Sequence, residues 1–380
     1  MADRPVLTVE RGVLSLYYCF DVGEEIELDK IEKIFGEAPI ASRLVYKRLT
    51  PAYMQYRKAP LLVELGSLEL QTGKSKLQAG CHAKLYDFGV ITIIFRLPLQ
   101  GSLQSLVSLS AELIGNERLY QVAVDQLERL RAEIKRAIVQ APYEIVKEAP
   151  AEPDWEDYAI FYVQSFDRPL MARDLLLSHA DEIARILRSE SEPLSNPELA
   201  DAVRQTLSYY ENELAIIDWN AAFLYDPRQS YDVPDVLEYA VTLLLELRTY
   251  DTLLDRVLDR AYDDLAKKRG TFSLRPYAST LDYLSGVKLD VSEVIEKVAN
   301  SLKLIGDPYL AKVYNAAATR FYLSTWRGSV REKLDTIQDL YVLLHDLTQT
   351  RRMLVLETLI VVLFMFDIVV LIAEPLLLKP

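Results

Sequence analysis

The chain has 380 residues, half of them apolar and about a quarter charged, which is typical of a globular body with two or three folding units. Its formal net charge is −13, from 43 basic and 56 acidic residues, which excludes a protein that coats nucleic acid over its whole surface. The two cysteines exclude a disulfide framework, and the three scattered histidines have no metal-ligand spacing.

The N-terminus, MADRPVLTVERG, has no apolar stretch behind its charges and therefore lacks the features of a secretory signal. It also lacks the Arg- and Ser-rich, acid-poor composition of a transit peptide. We expect the body of the protein in the cytoplasm.

Residues 1–145 are predicted to form an α+β lobe. Gly12–Val22, Pro60–Leu70 and Val90–Leu97 are rich in residues that favour strands, and the third is apolar enough to be a central strand. Glu27–Phe35 carries apolar residues at helical spacing, and a helical tract follows the last strand.

A basic region with interleaved tyrosines lies within this lobe. Between Arg43 and Lys84, eight basic residues are opposed only by Glu64 and Glu69, which gives a local net charge of +6. Aromatic side chains stack on bases, and basic clusters attract anionic headgroups, so RNA, a ribosome and anionic lipid are alternative partners. An ordinary solvated surface is the remaining interpretation. The candidate anion-binding residues are Arg43, Lys47, Arg48, Arg57 and Lys58.

A second α+β segment is predicted over residues 154–227, after a proline-rich linker. Its expected strands are Tyr158–Val163, Leu207–Asn212 and the dense apolar run Leu214–Tyr225. The strand patterns thus predict a body with two sheet-bearing lobes.

Residues 228–328 are predicted to form helical hairpins. The helix Pro234–Arg269 carries a heptad seam typical of a coiled coil, and aspartates recur every four residues on its outer face. Carboxylates at that spacing share one face and could bind a divalent cation, but arginines three residues before them favour a salt-bridged, solvated face. The aspartates are Asp251, Asp255, Asp259 and Asp263, and the arginines are Arg248, Arg256 and Arg260.

Glycines divide the remaining helices. A helix from about Asp290 is expected to end at Gly306, and Asp307-Pro308 then has the N-cap and first-turn residues of the next helix. We expect Gly328 to break the chain again, with Ser329 as the N-cap of a new helix.

An amphipathic stalk helix is predicted over residues 329–352. Its apolar seam must be covered either by the helix Pro234–Arg269 or by a second copy of the chain. The seam residues are Leu334, Ile337, Tyr341 and Leu344.

Residues 353–378 are predicted to cross a membrane as a C-terminal anchor. From Thr358 to Leu378 there are fifteen Leu, Ile, Val or Phe residues. They contribute about −7 kcal/mol to insertion, against about +3 for a central acid. The alternative is an assembly helix buried in a soluble oligomer. Arg351 and Arg352 precede the span and favour its cytoplasmic end.

Three acids accompany the span, Glu357, Asp367 and Glu374. Asp367 lies near mid-membrane and, two helical turns from Glu374, shares a face with it. It either serves a function within a helix bundle or is protonated and hydrogen-bonded to a neighbouring helix.

Three stretches of the C-terminal third carry a family resemblance: residues 306–314 (GDPYLAKVY), Lys333-Leu334 and residues 351–357 (RRMLVLE). Their order and spacing resemble the "required for meiotic nuclear division" family of uncharacterised membrane proteins. In that family Leu-Glu-Trp opens an apolar span that holds a later acid; here Thr358 replaces the Trp, and Asp367 supplies the acid. The resemblance implies no established enzymatic chemistry, and its eukaryotic members imply ribosome anchoring by analogy.

These features predict a membrane-tethered scaffold or assembly protein with a cytoplasmic body, oligomeric through stalk and anchor, with the lipid bilayer as its partner. The alternative is an RNA- or ribosome-binding tether that uses the basic region. No P-loop, GxSxG or HExxH motif is present, so we predict no catalytic residue, cofactor or metal site.

Overall fold

The computed structural model describes residues 6–36, 59–71, 76–139, 154–267, 277–300 and 307–377. It separates into two compact units, residues 1–249 with 296–327 (unit 1) and residues 250–295 with 328–380 (unit 2). Unit 1 holds a large mixed sheet, and unit 2 is helical. The α+β class and the long C-terminal helix predicted from the sequence are both confirmed.

Strands and helices alternate along the first two thirds of the chain, and helices alone follow. The strands are β1 Thr8–Asp21, β2 Glu25–Ile26, β3 Leu61–Gln71, β4 Lys76–Leu85, β5 Val90–Pro98, β6 Gly101–Ser102, β7 Ile138–Val139, β8 Trp155–Phe166, β9 Thr206–Leu207, β10 Leu214–Ile217 and β11 Ala221–Tyr225. The helices are α1 Leu28–Gly36, α2 Leu103–Leu113, α3 Glu117–Ile134, α4 Ala172–Arg188, α5 Asn196–Ala202, α6 Asp232–Lys267, α7 Ala278–Asn300, α8 Pro308–Arg320 and α9 Leu323–Leu377.

One sheet joins the two segments that were expected to form separate lobes. Within the described residues its order is β3-β4-β5-β1-β8-β11-β10-β9, with β6 added at the start of β1. Tyr17 in β1 is opposite Ile94 of β5 on one side and Tyr158 of β8 on the other. The prediction of two lobes is therefore wrong, because β1 is hydrogen-bonded on both edges and links strands from the two segments.

Both faces of this sheet are covered by helices. Alternate residues of β1, such as Leu14 and Leu16, belong to one apolar cluster with α1 to α4. Tyr17 and Cys19 point to the opposite face and are also buried. On that face Lys84 of β4 contacts the first turns of α6. A strand with both faces buried reads as a continuous apolar run, which is why β1 and β5 were recognisable from the sequence.

The region expected as a strand at residues 207–212 is mostly a turn. Only Thr206–Leu207 pairs with β10, and the chain then bends through Tyr209 and Tyr210. The hydroxyl of Ser208 donates to the carbonyl oxygens of Tyr210, at 2.5 Å, and Glu213, at 2.7 Å. These local hydrogen bonds compete with ladder pairing, so the strand prediction was wrong beyond Leu207.

In unit 2, α9 runs through Gly328 without a break, contrary to the sequence prediction. The hydroxyl of Ser329 donates to a carboxylate oxygen of Asp251 at 2.6 Å instead of capping a helix. A glycine inside a helix costs only about 1 kcal/mol, which the burial of Val330 and Leu334 offsets.

The predicted cap of the next helix is confirmed, whereas the predicted helix end at Gly306 lies outside the described residues. Asp307 caps α8, accepting from the N–H groups of Tyr309 at 2.8 Å and Leu310 at 2.9 Å, with Pro308 in the first turn. The preceding helix, α7, begins at Ala278, twelve residues before the predicted start at Asp290.

Candidate functional site

The C-terminal half of α9 exposes a continuous apolar surface. From Met353 to Val370 every large hydrophobic side chain is between 40% and 70% exposed. Among the described residues, α9 is the one helix that is long enough and apolar enough to cross a membrane. Glu357 and Asp367 are exposed with it, whereas the side chain of Glu374 lies outside the described residues.

Arg351 and Arg352 are half-buried at the start of this surface. They stand in the turn of α9 that joins the stalk half of the helix to its apolar half. The two side chains place positive charge at the N-terminal end of the apolar surface.

The stalk seam is buried inside the chain. Leu334, Ile337 and Leu344 are between 0% and 7% exposed, and Tyr341 is half-buried. Within unit 2 the stalk contacts α6 through Lys333 and α7 through the hydrogen bond from Lys288 to Gln338. Of the two ways to cover the seam, packing against helices of the same chain is the one observed.

Two aspartates of the α6 column, Asp251 and Asp255, are ion-paired by a lysine that the sequence pattern did not predict. Lys333 of α9 lies 2.9 Å from Asp251 and 2.7 Å from Asp255. Arg248 pairs instead with Glu156 of β8. The cation was missed because it comes from a helix about eighty residues away in sequence. Among the described residues, no group of three or more acidic, His or Cys side chains is placed to hold a metal ion.

The candidate anion-binding residues lie outside the described residues: Arg43, Lys47, Arg48, Arg57 and Lys58. Two other lysines of the basic region are visible. Lys76 pairs with Glu69 on the neighbouring strand at 2.7 Å. Lys84 is 4% exposed, so it contributes nothing to a surface patch.

Lys84 is held in a buried ion cluster. Its ammonium lies 3.0 Å from Asp235 and 2.9 Å from Glu238, both on α6. Burial raises the pKa of Glu238, which the charge of Lys84 opposes and that of Asp235 reinforces. The cluster fixes the first turns of α6 on the sheet.

A second buried cluster ties α8 to the edge of the sheet. Asp218 lies in the β10–β11 turn and is fully buried. Its carboxylate oxygens lie 2.6 Å from Nε of Arg188 and 2.5 Å from Nε of Arg320. Asp201 lies 2.7 Å and 2.6 Å from the same two arginines. Hydrogen bonding from Arg320 lowers the pKa of Asp201 to about 2, although its partial burial opposes the shift. Two arginines and two aspartates balance in charge, so this group of four side chains is neutral overall.

A cleft of about 250 Å³ lies where the β10–β11 hairpin meets the first turns of α6 and α8, all within unit 1. We call it the tyrosine cleft because of the aromatic side chains that line it. These are Tyr162, Tyr209, Tyr210, Tyr225 and Tyr309.

The rings of the tyrosine cleft contact one another at angles. Tyr209 lies 4.7 Å from Tyr210 and 5.1 Å from Tyr309 between ring centroids, with interplanar angles of 84° and 56°. Tyr209 is 61% exposed and forms the rim, whereas the phenol of Tyr162 donates to Asp226 at 3.1 Å. Angled rings of this kind form the corner of an aromatic cage.

The charges of the tyrosine cleft are mostly negative. Four carboxylates line it, and Arg228 is the one Lys or Arg among the described lining residues, which gives a net charge of −3. Burial raises the pKa of Asp232 to about 6, and the charges of Asp235 and Asp307 add to the shift. The acids are Glu213, Asp226, Asp232 and Asp307.

Sequence reasoning missed this cleft. Its residues come from three separate parts of the chain, Tyr162, 209–234 and 307–310, and the second was predicted partly as a strand. The available signal was the presence of Asn, Asp, Pro and Ser in YYENE (209–213) and YDPRQSYD (225–232), which favour turns over strands.

The comparisons with known proteins match the sheet-bearing part of the chain. A family model described as "Uncharacterized protein MJ0711, N-terminal domain" matches residues 11–232, more than half of the chain. The uncharacterized protein MJ0711 of Methanocaldococcus jannaschii is 23% identical over 243 residues, which cover 64% of this chain and 74% of the relative. No solved structure matches.

Proposed function

The chain belongs to the family of the MJ0711 N-terminal domain, and we propose that it is a membrane-tethered scaffold whose body is held at the cytoplasmic face of a bilayer by α9. The observation that carries this proposal is the exposed apolar surface from Met353 to Val370. Soluble monomers rarely expose apolar patches larger than a few hundred Å². A bilayer covers this surface without requiring a partner protein.

The energetics of insertion support an anchor. An apolar helix needs about 20 residues to cross a hydrocarbon core. The exposed apolar surface reaches that length when the next turn of α9 is included. The apolar side chains from Thr358 onward outweigh the cost of Asp367 by a few kcal/mol, and Glu357 lies close enough to the end to reach the interface. Arg351 and Arg352 orient the body toward the cytoplasm.

The same proposal gives Asp367 a role. An acid at mid-membrane is stabilised by a polar partner on another helix, so the span is the surface through which copies of the chain would associate. The stalk contributes less to assembly, because its seam is already buried within the chain.

We propose a non-catalytic role for the body. Its buried ionisable clusters, around Lys84 and around Asp218, pair their charges internally and so act in folding. The C-terminal stretches that resemble the required for meiotic nuclear division family, residues 306–314 and 351–357, lie beyond the matched residues 11–232. Membership of that family remains a prediction.

Membrane partitioning tests the anchor. The full chain, a chain ending at Arg352 and the variant Leu363→Arg are expressed, and membranes are washed with high salt and alkaline carbonate. We expect only the full chain to resist extraction fully, since an arginine at mid-span costs about 3 kcal/mol. If the full chain is extracted as readily as the shortened one, α9 is an assembly helix of a soluble protein.

A tether for RNA or a ribosome is the second proposal, favoured by the local charge of +6 between Arg43 and Lys84 in a chain of −13. The burial of Lys84 restricts the binding surface to the other basic residues. The test replaces Lys47, Arg48, Arg57 and Lys58 by Glu and measures salt-sensitive RNA retention, with Lys76→Glu as the control. Unchanged retention would remove this function.

A further inference from the structure

We propose that the tyrosine cleft binds an organic cation, an alkylammonium or guanidinium group that comes from a small amine or from a basic side chain of a partner protein. The inference concerns the soluble body alone. It stands or falls independently of whether α9 crosses a bilayer, because every lining residue belongs to unit 1.

The cleft already holds one cation of its own. The guanidinium of Arg228 lies 3.3 Å from the centroid of the Tyr210 ring, and its Nη1 atom is 2.5 Å from a carboxylate oxygen of Glu213. A ring face and a carboxylate thus clamp a planar cation on one wall. Such pairs combine cation–π attraction with a charge-assisted hydrogen bond.

The cleft also contains a second set of ring faces and a second carboxylate, next to this clamp. Tyr209 and Tyr309 form an aromatic corner, with ring centroids 5.1 Å apart. The carboxylate of Asp226 accepts from the phenol of Tyr162 and from the backbone N–H groups of Arg228 and Ser230. No lysine or arginine side chain of the described residues pairs with it.

The negative charge of the cleft contributes to raised pKa values of two lining side chains, Tyr309 and Glu213. Burial first, and then the charges of Glu213 and Asp226, raises the pKa of the Tyr309 phenol to about 12. Burial raises the pKa of Glu213 as well, and Asp226 adds to that shift. A bound cation would relieve the repulsion that these carboxylates exert on one another.

An anionic ligand fits the cleft poorly, although the N-termini of α6 and α8 open onto it. The N–H groups of Tyr309 and Leu310 are taken by the carboxylate of Asp307. Asp232 is an acid in the first turn of α6. With a net charge of −3 on the lining, an anion would be repelled at both helix ends.

The volume sets the size of the ligand. A cavity of about 250 Å³ is smaller than the pockets of drug-sized molecules and suits a short alkyl chain with one charged head. Arginine and lysine side chains, and small linear amines, have this size.

The test is calorimetric titration of the full chain in uncharged detergent micelles with agmatine, spermidine and a peptide that carries a single arginine. We expect 1:1 binding that Tyr209→Ala and Asp226→Asn each weaken about tenfold, since a desolvated cation–π contact and a charge pair are each worth about 1–2 kcal/mol. Tyr209→Phe keeps the ring face and should retain most of the affinity.

Matched controls lie in unit 2. Tyr262→Ala removes a tyrosine that is 50% exposed, and Asp259→Asn removes an exposed acid, and neither should change binding. Binding of the amines or of the peptide alone would identify the source of the cation. The inference is overturned if no probe binds, or if the controls weaken binding as much as the cleft variants, because attraction to the acidic surface would then explain it. Unfolding curves establish that each variant is folded.

Discussion

Lys84 illustrates how one residue changes meaning between sequence and structure. In the sequence it closes a basic region, whereas in the fold its ammonium lies between Asp235 and Glu238 with 4% exposure. A buried charge that loses its partner is far more costly than an exposed pair, which contributes at most about 1 kcal/mol.

Lys84→Met should therefore destabilise the body by about 3–5 kcal/mol, because it leaves two carboxylates near each other without a cation. The loss should be smaller at low pH, where Glu238, whose pKa burial raises, becomes protonated. Lys76→Met, on the same strand with an exposed partner, is the control and should cost less than about 1 kcal/mol. Denaturant unfolding in detergent measures both, and equal losses would contradict a buried cluster.

Asp21 makes the stability of the body depend on pH. Burial, reinforced by the charges of Asp154 and Glu24, raises its pKa to about 7, against the hydrogen bond from the N–H of Gly23. The folded state thus holds a proton that the unfolded state has already lost, so stability falls as pH rises from about 4 to 7.

Asp21→Asn should remove this dependence and gain on the order of 1–2 kcal/mol at pH 8, with little change at pH 4. Its amide oxygen can still accept from Gly23. The comparison is Asp125→Asn on the exposed face of α3. Thermal unfolding at several pH values measures how the stability of each variant depends on pH. If Asp21→Asn leaves that dependence unchanged, other groups are responsible for it.

At the scale of elements, a predicted helix cap and a predicted helix break had opposite outcomes. Residues 306–308 were read as a helix end followed by a cap and a proline, and the cap of α8 forms as predicted. Gly328 was read as a break, but α9 continues through it. Capping is decided by hydrogen bonds within a few residues, whereas the continuity of a helix depends on what its neighbouring turns pack against.

Gly328→Ala should stabilise α9 by about 0.5–1 kcal/mol, because an added Cβ meets nothing within 4 Å and alanine is the better helix former. The same change at Gly89 should be strongly destabilising, since its φ is +91° and a Cβ would lie 1.7 Å from the carbonyl oxygen of Gly23. Unfolding midpoints of the two variants should shift in opposite directions. A loss of stability in Gly328→Ala would mean that the helix is broken there.

For the whole molecule, the packing of the stalk seam distinguishes a helix that is covered within one chain from a helix that is covered by a second copy. Its residues are buried by helices of the same chain, with Ile337 at 1% exposure. Intermolecular packing would make stability depend on protein concentration, whereas packing within one chain would not.

Ile337→Ala should cost about 2–5 kcal/mol as a buried truncation, with a midpoint shift that does not change with protein concentration. Leu343→Ala, on the same helix but 46% exposed, should cost less than about 1 kcal/mol. Chemical unfolding over a wide range of protein-to-detergent ratios provides the measurement. A concentration-dependent loss would place the seam between copies of the chain.

The sequence by itself determined the α+β class, the central strands β1 and β5, the cap of α8 and an apolar helix long enough to span a membrane. Each depends on residues close together in sequence: an apolar run, a periodicity or a cap. Only the tertiary structure decided that β1 joins β5 to β8 in one sheet, that Lys333 neutralises Asp251, and that Tyr309 meets Tyr209 in the tyrosine cleft. These contacts join residues about 80 to 140 positions apart, and a single sequence holds no periodic signal for pairs at that distance.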